Sequence, residues 1–324
     1  MRAWLCFLSA ALVFAQGREG GVIRADPGLD EIVPTSAKIE KLAGNFVFTE
    51  GPVWIHEGYL LFSDIPKNVI EKWMPAGGVS VFRNHSGYNG ADKPAGAYIG
   101  SNGLTLDAQG RVTICETGNR RVTRLERDGT LTVLADRYQG KRLNSPNDLV
   151  YKSDGSLYFT DPPHGLPRED HDPNKELKFN GIYRLKSGKL QLLSTELSRP
   201  NGLAFSPDEK YLYVANSDAR RKIWMRFDVL PDGSLGGGRV FYDVTGERAD
   251  GLPDGMKVDQ RGNLYCTGPD GIWIFSPEGR RLGLIEAPET PANVGWGGKD
   301  GKTLFITART SLYRINLSVP GIRP

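Results

Sequence analysis

Glu50, Asn102, Asn147, Asn201, Asp254 and Asn293 recur at intervals of roughly 40–55 residues, each opening a similar stretch of chain. Two carboxylates and four amides offer only oxygen as acceptor. If the six openings meet, they form a shell suited to a hard divalent cation, with positions left for water or substrate. Ligands drawn from six distant places suit the flexible six-to-eight-coordinate shell of calcium better than the compact octahedron of magnesium, with other divalent cations as substitutes. Zinc is disfavoured, because the four histidines are dispersed and no cysteines cluster. A second reading of the same phase stays open: Asn-Gly and Pro-Asp-Gly are turn formers and would start a strand without any ligand. Glu50 fits that reading poorly, being a weak turn residue in phase with the others.

The elements that must position these residues are β-strands. One copy reads Asn102-Gly103-Leu104-Thr105-Leu106, then Arg111-Val112-Thr113-Ile114-Cys115, then Arg121-Val122-Thr123-Arg124-Leu125. A second opens at Asn147 and passes through Leu157-Tyr158-Phe159-Thr160 to Ile182-Tyr183-Arg184-Leu185. Related copies open at Glu50, Asn201, Asp254 and Asn293, which makes six. Each has room for a fourth strand, as in residues 131–134 and 190–193, so the period predicts four-stranded antiparallel blades. A lone meander cannot bury both faces, whereas radial stacking gives each sheet two apolar neighbours. The expected fold is all-β, a six-bladed β-propeller with the opening residues of the inner strands around the axis. Residues 38–47 are expected to close the ring by completing the last sheet beyond Ile315. The longest departures from the repeat, residues 161–179 with His164 and His171 and residues 84–99, are expected to rise as loops over one rim.

Composition agrees with a globular β protein: 39% hydrophobic and 24% charged residues, with 40 glycines and 21 prolines placed where turns belong. A net charge of +3 from interspersed residues argues against a nucleic-acid-binding surface. The N-terminus differs from the rest. Met1-Arg2, an apolar run over residues 3–14 and Ala15-Gln16-Gly17 have the form of a signal peptide cleaved near Ala15. The expected organisation is therefore a signal over residues 1–15, a flexible leader over 16–36 and one propeller domain over 37–324. A secreted or periplasmic location follows, with no stable membrane insertion after signal removal. Cys115 and Cys266 fall three blades apart and are expected as buried, unbridged thiols.

The ordered set Thr49-Glu50-Gly51-Pro52-Val53-Trp54, Ser101-Asn102-Gly103-Leu104, Ser145-Pro146-Asn147-Asp148-Leu149, Arg199-Pro200-Asn201-Gly202-Leu203 and Leu252-Pro253-Asp254-Gly255-Met256 resembles the SMP-30/gluconolactonase/regucalcin-like superfamily, closest in appearance to bacterial gluconolactonases. The resemblance implies a metal held by Glu50, Asn147, Asn201 and Asp254, a catalytic or supporting acid at Asp148, and substrate contact at Asn102. The Asp161-Pro162-Pro163-His164-Gly165 run implies that His164 reaches substrate, although a loop histidine is otherwise an ordinary surface residue. The implied reaction is metal-dependent hydrolysis of a small sugar lactone to its aldonic acid. The cation polarises the carbonyl, and Asp148 acts either as general base or as an orienter of Asn147 or water. Hydrolysis of an organophosphate or other ester on the same metal, and a non-catalytic calcium-stabilised binding propeller, are the alternatives.

Overall fold

The computed structural model describes residues 19–91 and 98–324 of the chain. The expected signal peptide lies outside the described residues, as do residues 92–97 of the second rim loop.

Six antiparallel sheets stand around a common axis, each with its first strand innermost. Those inner strands are Thr49–Ile55, Ser101–Leu106, Leu149–Tyr151, Pro200–Phe205, Met256–Val258 and Pro291–Gly297 for blades one to six. Apolar side chains on both faces of the strands explain the stacking. Six hydrophobic clusters fill the six gaps between neighbouring blades. One joins Val53 and Leu61 of blade one to Leu104 and Ile114 of blade two. Another joins Ala215 and Trp224 of blade four to Met256 and Cys266 of blade five. In the gap that closes the ring, Trp54 of blade one stacks on Phe305 of blade six, with centroids 5.4 Å apart. Each gap removes large side chains from water at about 1.5–3 kcal/mol apiece, so no blade is stable without its neighbours.

Closure follows the expected route. Glu40–Ala43 pairs antiparallel with Ser311–Asn316 and supplies the outer strand of blade six. The fourth strands of blades two and three are Leu131–Ala135 and Lys189–Ser194. Cys115 and Cys266 are free and buried, as their separation requires.

The leader departs from expectation. Its described part is not free chain: Gly21–Arg24 adds a fifth strand to blade five by pairing with Arg281–Glu286. A 3-10 turn at Pro27–Glu31 follows, its first turn capped by the Asp26 carboxylate, which accepts from Gly28 N at 2.8 Å. Leu29, Ile32 and Val33 are buried in the cluster between blades five and six. The physical reason is that the outer strand of blade five leaves an edge and an apolar face that this segment covers. Among the described residues no helix is long and apolar enough to cross a membrane.

Candidate metal and substrate site

The opening residues of the inner strands are aimed by a break in strand pairing. In blades one, two, four and six the register shifts at or beside the opening residue, between Glu50 and Val53, Ser101 and Leu104, Pro200 and Leu203, and Pro291 and Asn293. Such bulges turn a side chain off the sheet face, here toward the axis. In blades three and five the ladder begins only after the opening residue, and Asn147 N donates to Thr160 O at 2.9 Å while Asp254 N donates to Thr267 O at 3.2 Å.

The glycines that follow are not simple turn residues. Gly51 has φ +56°, and a Cβ there would stand 2.2 Å from the Asn102 carbonyl oxygen. A Cβ on Gly202, whose φ is unremarkable, would stand 2.3 Å from the Asp254 carbonyl oxygen. The next blade's backbone occupies the space, so glycine is required at these two positions for neighbouring inner strands to approach this closely.

A cavity of about 220 Å³ opens at this end of the axis, lined among others by Glu50, Asn102, Asn147, His164, Asn201 and Asp254. Six residues singled out from the sequence therefore share one wall. Asp148 and Asn293 do not line it. Both are buried beneath, where Asn293 Nδ2 donates to Glu50 Oε2 at 2.9 Å and lies 3.4 Å from Asp148 Oδ2. The other Asp148 oxygen accepts from Leu149 N at 2.9 Å. The lining also includes Phe48, Ile65, Tyr98, Glu169 and Ser217, which the repeat did not indicate because they lie outside its phase. Glu169 lies in the long blade-three loop noted in the sequence, but nothing in its spacing singled it out. A larger cleft of about 770 Å³ lies between blades one and two at the opposite ends of their inner strands. There Arg111 is already paired with Asp107 and Glu126, so it offers no converging free groups.

The electrostatics of the axial site are one-sided. Burial pushes the Glu50 carboxyl up to about 7, with the Asp148 charge adding to the rise; the amide of Asn293, the Gly51 N–H and, least, Lys257 oppose it. Asp254 is driven well above the ordinary carboxylate range by burial and then by Glu50 and Asp148, relieved only by Asn201. Three carboxylates are thus enclosed together with little cationic compensation, an arrangement that is costly unless a positive charge joins them. Among the described residues no group of three or more His, Cys, Asp or Glu is arranged to hold a metal. The candidate set is instead two carboxylates completed by amide oxygens, a donor set that fits a hard divalent cation and not a soft one.

Above the cavity, the loop between Leu157–Asp161 and Gly181–Lys186 is held down by ion pairs. Arg199 Nη2 lies 2.9 Å from Glu169 Oε2, and Arg199 also pairs with Asp170. The base of the loop is fixed by Asp161, which accepts from Asn144 N and Ser145 N at 2.8 Å each.

Comparison with known proteins agrees with this architecture. Residues 48–310 match the SMP-30/gluconolactonase/LRE-like region. The chain is 41% identical to a gluconolactonase of Zymomonas mobilis over 93% of its own length and 87% of that protein. It is 26% identical to rabbit (Oryctolagus cuniculus) regucalcin over 88% of this chain and 91% of the relative. Among solved structures, a gluconolactonase of Xanthomonas campestris superposes with a TM-score of 0.79 at 34% identity, covering 91% of this chain and 94% of that one.

Proposed function

From the premise that the chain belongs to the SMP-30/gluconolactonase/LRE-like family, we propose that it hydrolyses a sugar lactone to the aldonic acid at the axial cavity, on a divalent metal held by Glu50, Asn147, Asn201 and Asp254. The observation that carries the reading is the enclosure of Glu50 and Asp254 in one wall with two amide oxygens, Glu50 made protonation-prone by burial and then Asp148, Asp254 by burial and then Glu50 and Asp148. Calcium suits the set best, because ligands from four separate blades give a spread, adaptable shell.

When bound there, such a cation supplies electrophilic polarisation of the lactone carbonyl and compensates charge that develops on its oxygen. The chain's own residues supply the rest. Glu50 and Asp254 provide the counter-charge, and Asn147 and Asn201 provide neutral oxygen. Asn102, which lines the same cavity, is assigned the hydrogen bond to a substrate hydroxyl or ring oxygen. Asp148 has both carboxylate oxygens turned to Leu149 N and Asn293, so of its two expected roles we assign it the orienting one: it fixes the amide that in turn fixes Glu50. The cavity of about 220 Å³ limits the substrate to a small molecule.

We assign the protein to the periplasm or the exterior, because the basic start and short apolar run of residues 1–15 have the form of an export signal. N-terminal sequencing of the mature protein tests this: a start near Gln16 supports it, and a retained Met1 refutes it.

The activity is tested by proton release from a panel of aldonolactones, above the spontaneous rate, in calcium, in EDTA and after calcium is restored. Turnover that vanishes on chelation and returns with the ion is expected. Tight sugar binding without turnover would mark a binding propeller instead.

A further inference from the structure

If Asp148 orients, some other group must move the proton, and the cavity wall offers few. Glu50 and Asp254 are committed to the metal in the reading on which this inference rests. Glu169 is held down to about 2, first by its hydrogen bond with His164 and further by that charge and Arg199, which makes it a poor proton acceptor near neutrality. His164 remains.

The imidazole is half-buried and is held on one side. Nδ1 lies 3.3 Å from Glu169 Oε1. The opposite oxygen of Glu169 takes Arg199 Nη2 at 2.9 Å, and Arg199 stands two residues before Asn201. Glu169 adopts φ +47°, a left-handed conformation that a glutamate enters only under constraint. The other ring nitrogen, Nε2, is enclosed and has no hydrogen-bond partner among the described residues. A buried polar atom in this position calls for a partner, whether an ordered water, an ion or a reacting group. With Nδ1–H donated to the carboxylate, the neutral ring presents its lone pair at Nε2.

We infer that His164 is the general base of the hydrolysis, with Glu169 as the residue that positions it and Arg199 as the tie that fixes Glu169 to the strand carrying Asn201. As the water oxygen bonds to the lactone carbonyl carbon, Nε2 accepts one water proton. When the tetrahedral intermediate collapses, the bond from that carbon to the ring oxygen breaks and the proton passes from Nε2 to the departing oxygen, which leaves as a hydroxyl. One water is added, His164 returns to its neutral form, and the new carboxylic acid loses its proton to solvent. The charged groups around the imidazole are Glu169, Asp170 and Arg199 on the lid side, with Lys175 3.6 Å from Asp170, and Glu50 and Asp254 across the cavity.

The test compares wild type, His164→Gln and Glu169→Gln in full-length protein at saturating calcium over pH 5–8, with spontaneous hydrolysis subtracted and calcium affinity measured separately. For His164→Gln, kcat is expected to fall about 10²–10⁴-fold, with KM and calcium affinity nearly unchanged. The acidic limb of the wild-type pH profile should disappear. For Glu169→Gln, kcat should fall about 10–100-fold with KM nearly unchanged, because the amide no longer holds the ring by Nδ1. An active His164→Gln protein with an unchanged acidic limb overturns the assignment. So does a parallel loss of kcat, KM and calcium affinity, which would make His164 a structural lid residue. A wild-type protein inactive on every lactone in calcium overturns the parent reading and this assignment together, whereas wild-type turnover with an equally active variant overturns this assignment alone.

Discussion

Asn293 Nδ2 donates to Glu50 Oε2 at 2.9 Å, joining the inner strand of blade six to that of blade one across 243 residues of sequence. Closure of the ring and presentation of a candidate metal ligand are therefore the same contact. Gly51 N donates to the same oxygen at 2.7 Å, so the Glu50 carboxylate is held by two hydrogen bonds before any ion joins it. A group held in this way loses little freedom on coordination.

Glu50→Gln and Asp254→Asn each remove one of the two negative charges assigned to the ion. Calcium affinity should fall by about 100-fold or more in each, beyond the 10–100-fold typical of outer partners, and kcat/KM should fall with it. Isothermal titration checks the affinity and lactone hydrolysis the rate.

Asp148→Asn and Asn293→Ala should behave differently. Calcium affinity is expected to fall only about tenfold, the low end for outer partners, with kcat reduced by about 10–100-fold, because the ligands remain while Glu50 loses its alignment. Equal loss of affinity in Asp148→Asn and Glu50→Gln would remove the distinction between orienting and ligating carboxylates.

The Glu50 carboxyl is held at about 7 against an ordinary 4.5, so the metal-free fold binds this proton more tightly than the unfolded chain. That contribution to stability is fully present below about pH 4.5 and is lost as pH rises through 7. A bound cation favours the ionised form and reverses the preference. Calcium should therefore raise Tm more at pH 8 than at pH 5.5, and its affinity should weaken about tenfold per pH unit below 7 for each proton displaced. Calorimetry with and without calcium at the two pH values reads both.

The fold was legible because its signal is repeated: six copies of strand, glycine, strand put Glu50, Asn102, Asn147, Asn201 and Asp254 in one phase, and closure follows from the spare strand in residues 38–47. What did not repeat was harder to read. Leu29, Ile32 and Val33 have the i, i+3, i+4 spacing of a single helical turn, too short a run to be read as an element, and only the uncovered edge of blade five gives them a partner. Asp148, which the resemblance implied as a catalytic or supporting acid, follows Asn147 directly; successive residues of an extended chain point to opposite sides, so Asn147 lines the cavity while Asp148 does not. Glu169 belongs to no repeat and meets His164 only because the lid folds back on itself.

The glycines were legible as positions but misleading as turns. Gly202→Ala would place a Cβ 2.3 Å from the Asp254 carbonyl oxygen and must push blade four from blade five. A loss of about 1–3 kcal/mol is expected, with weaker calcium binding as Asn201 and Asp254 separate. Thermal melting and calcium titration of this single variant check both effects.

Leu29→Ala should cost about 2–5 kcal/mol, as expected for a fully buried leucine, although the residue precedes the repeats. A variant as stable as wild type in chemical denaturation would mean that the leader is dispensable to the ring.

The most direct measurement is a crystal structure grown in ample calcium, with the ion located by its anomalous scattering. One ion is expected at the axis, about 2.3–2.6 Å from oxygens of Glu50, Asn147, Asn201 and Asp254. An axis without an ion, with those four side chains turned away from one another, would contradict the central claim.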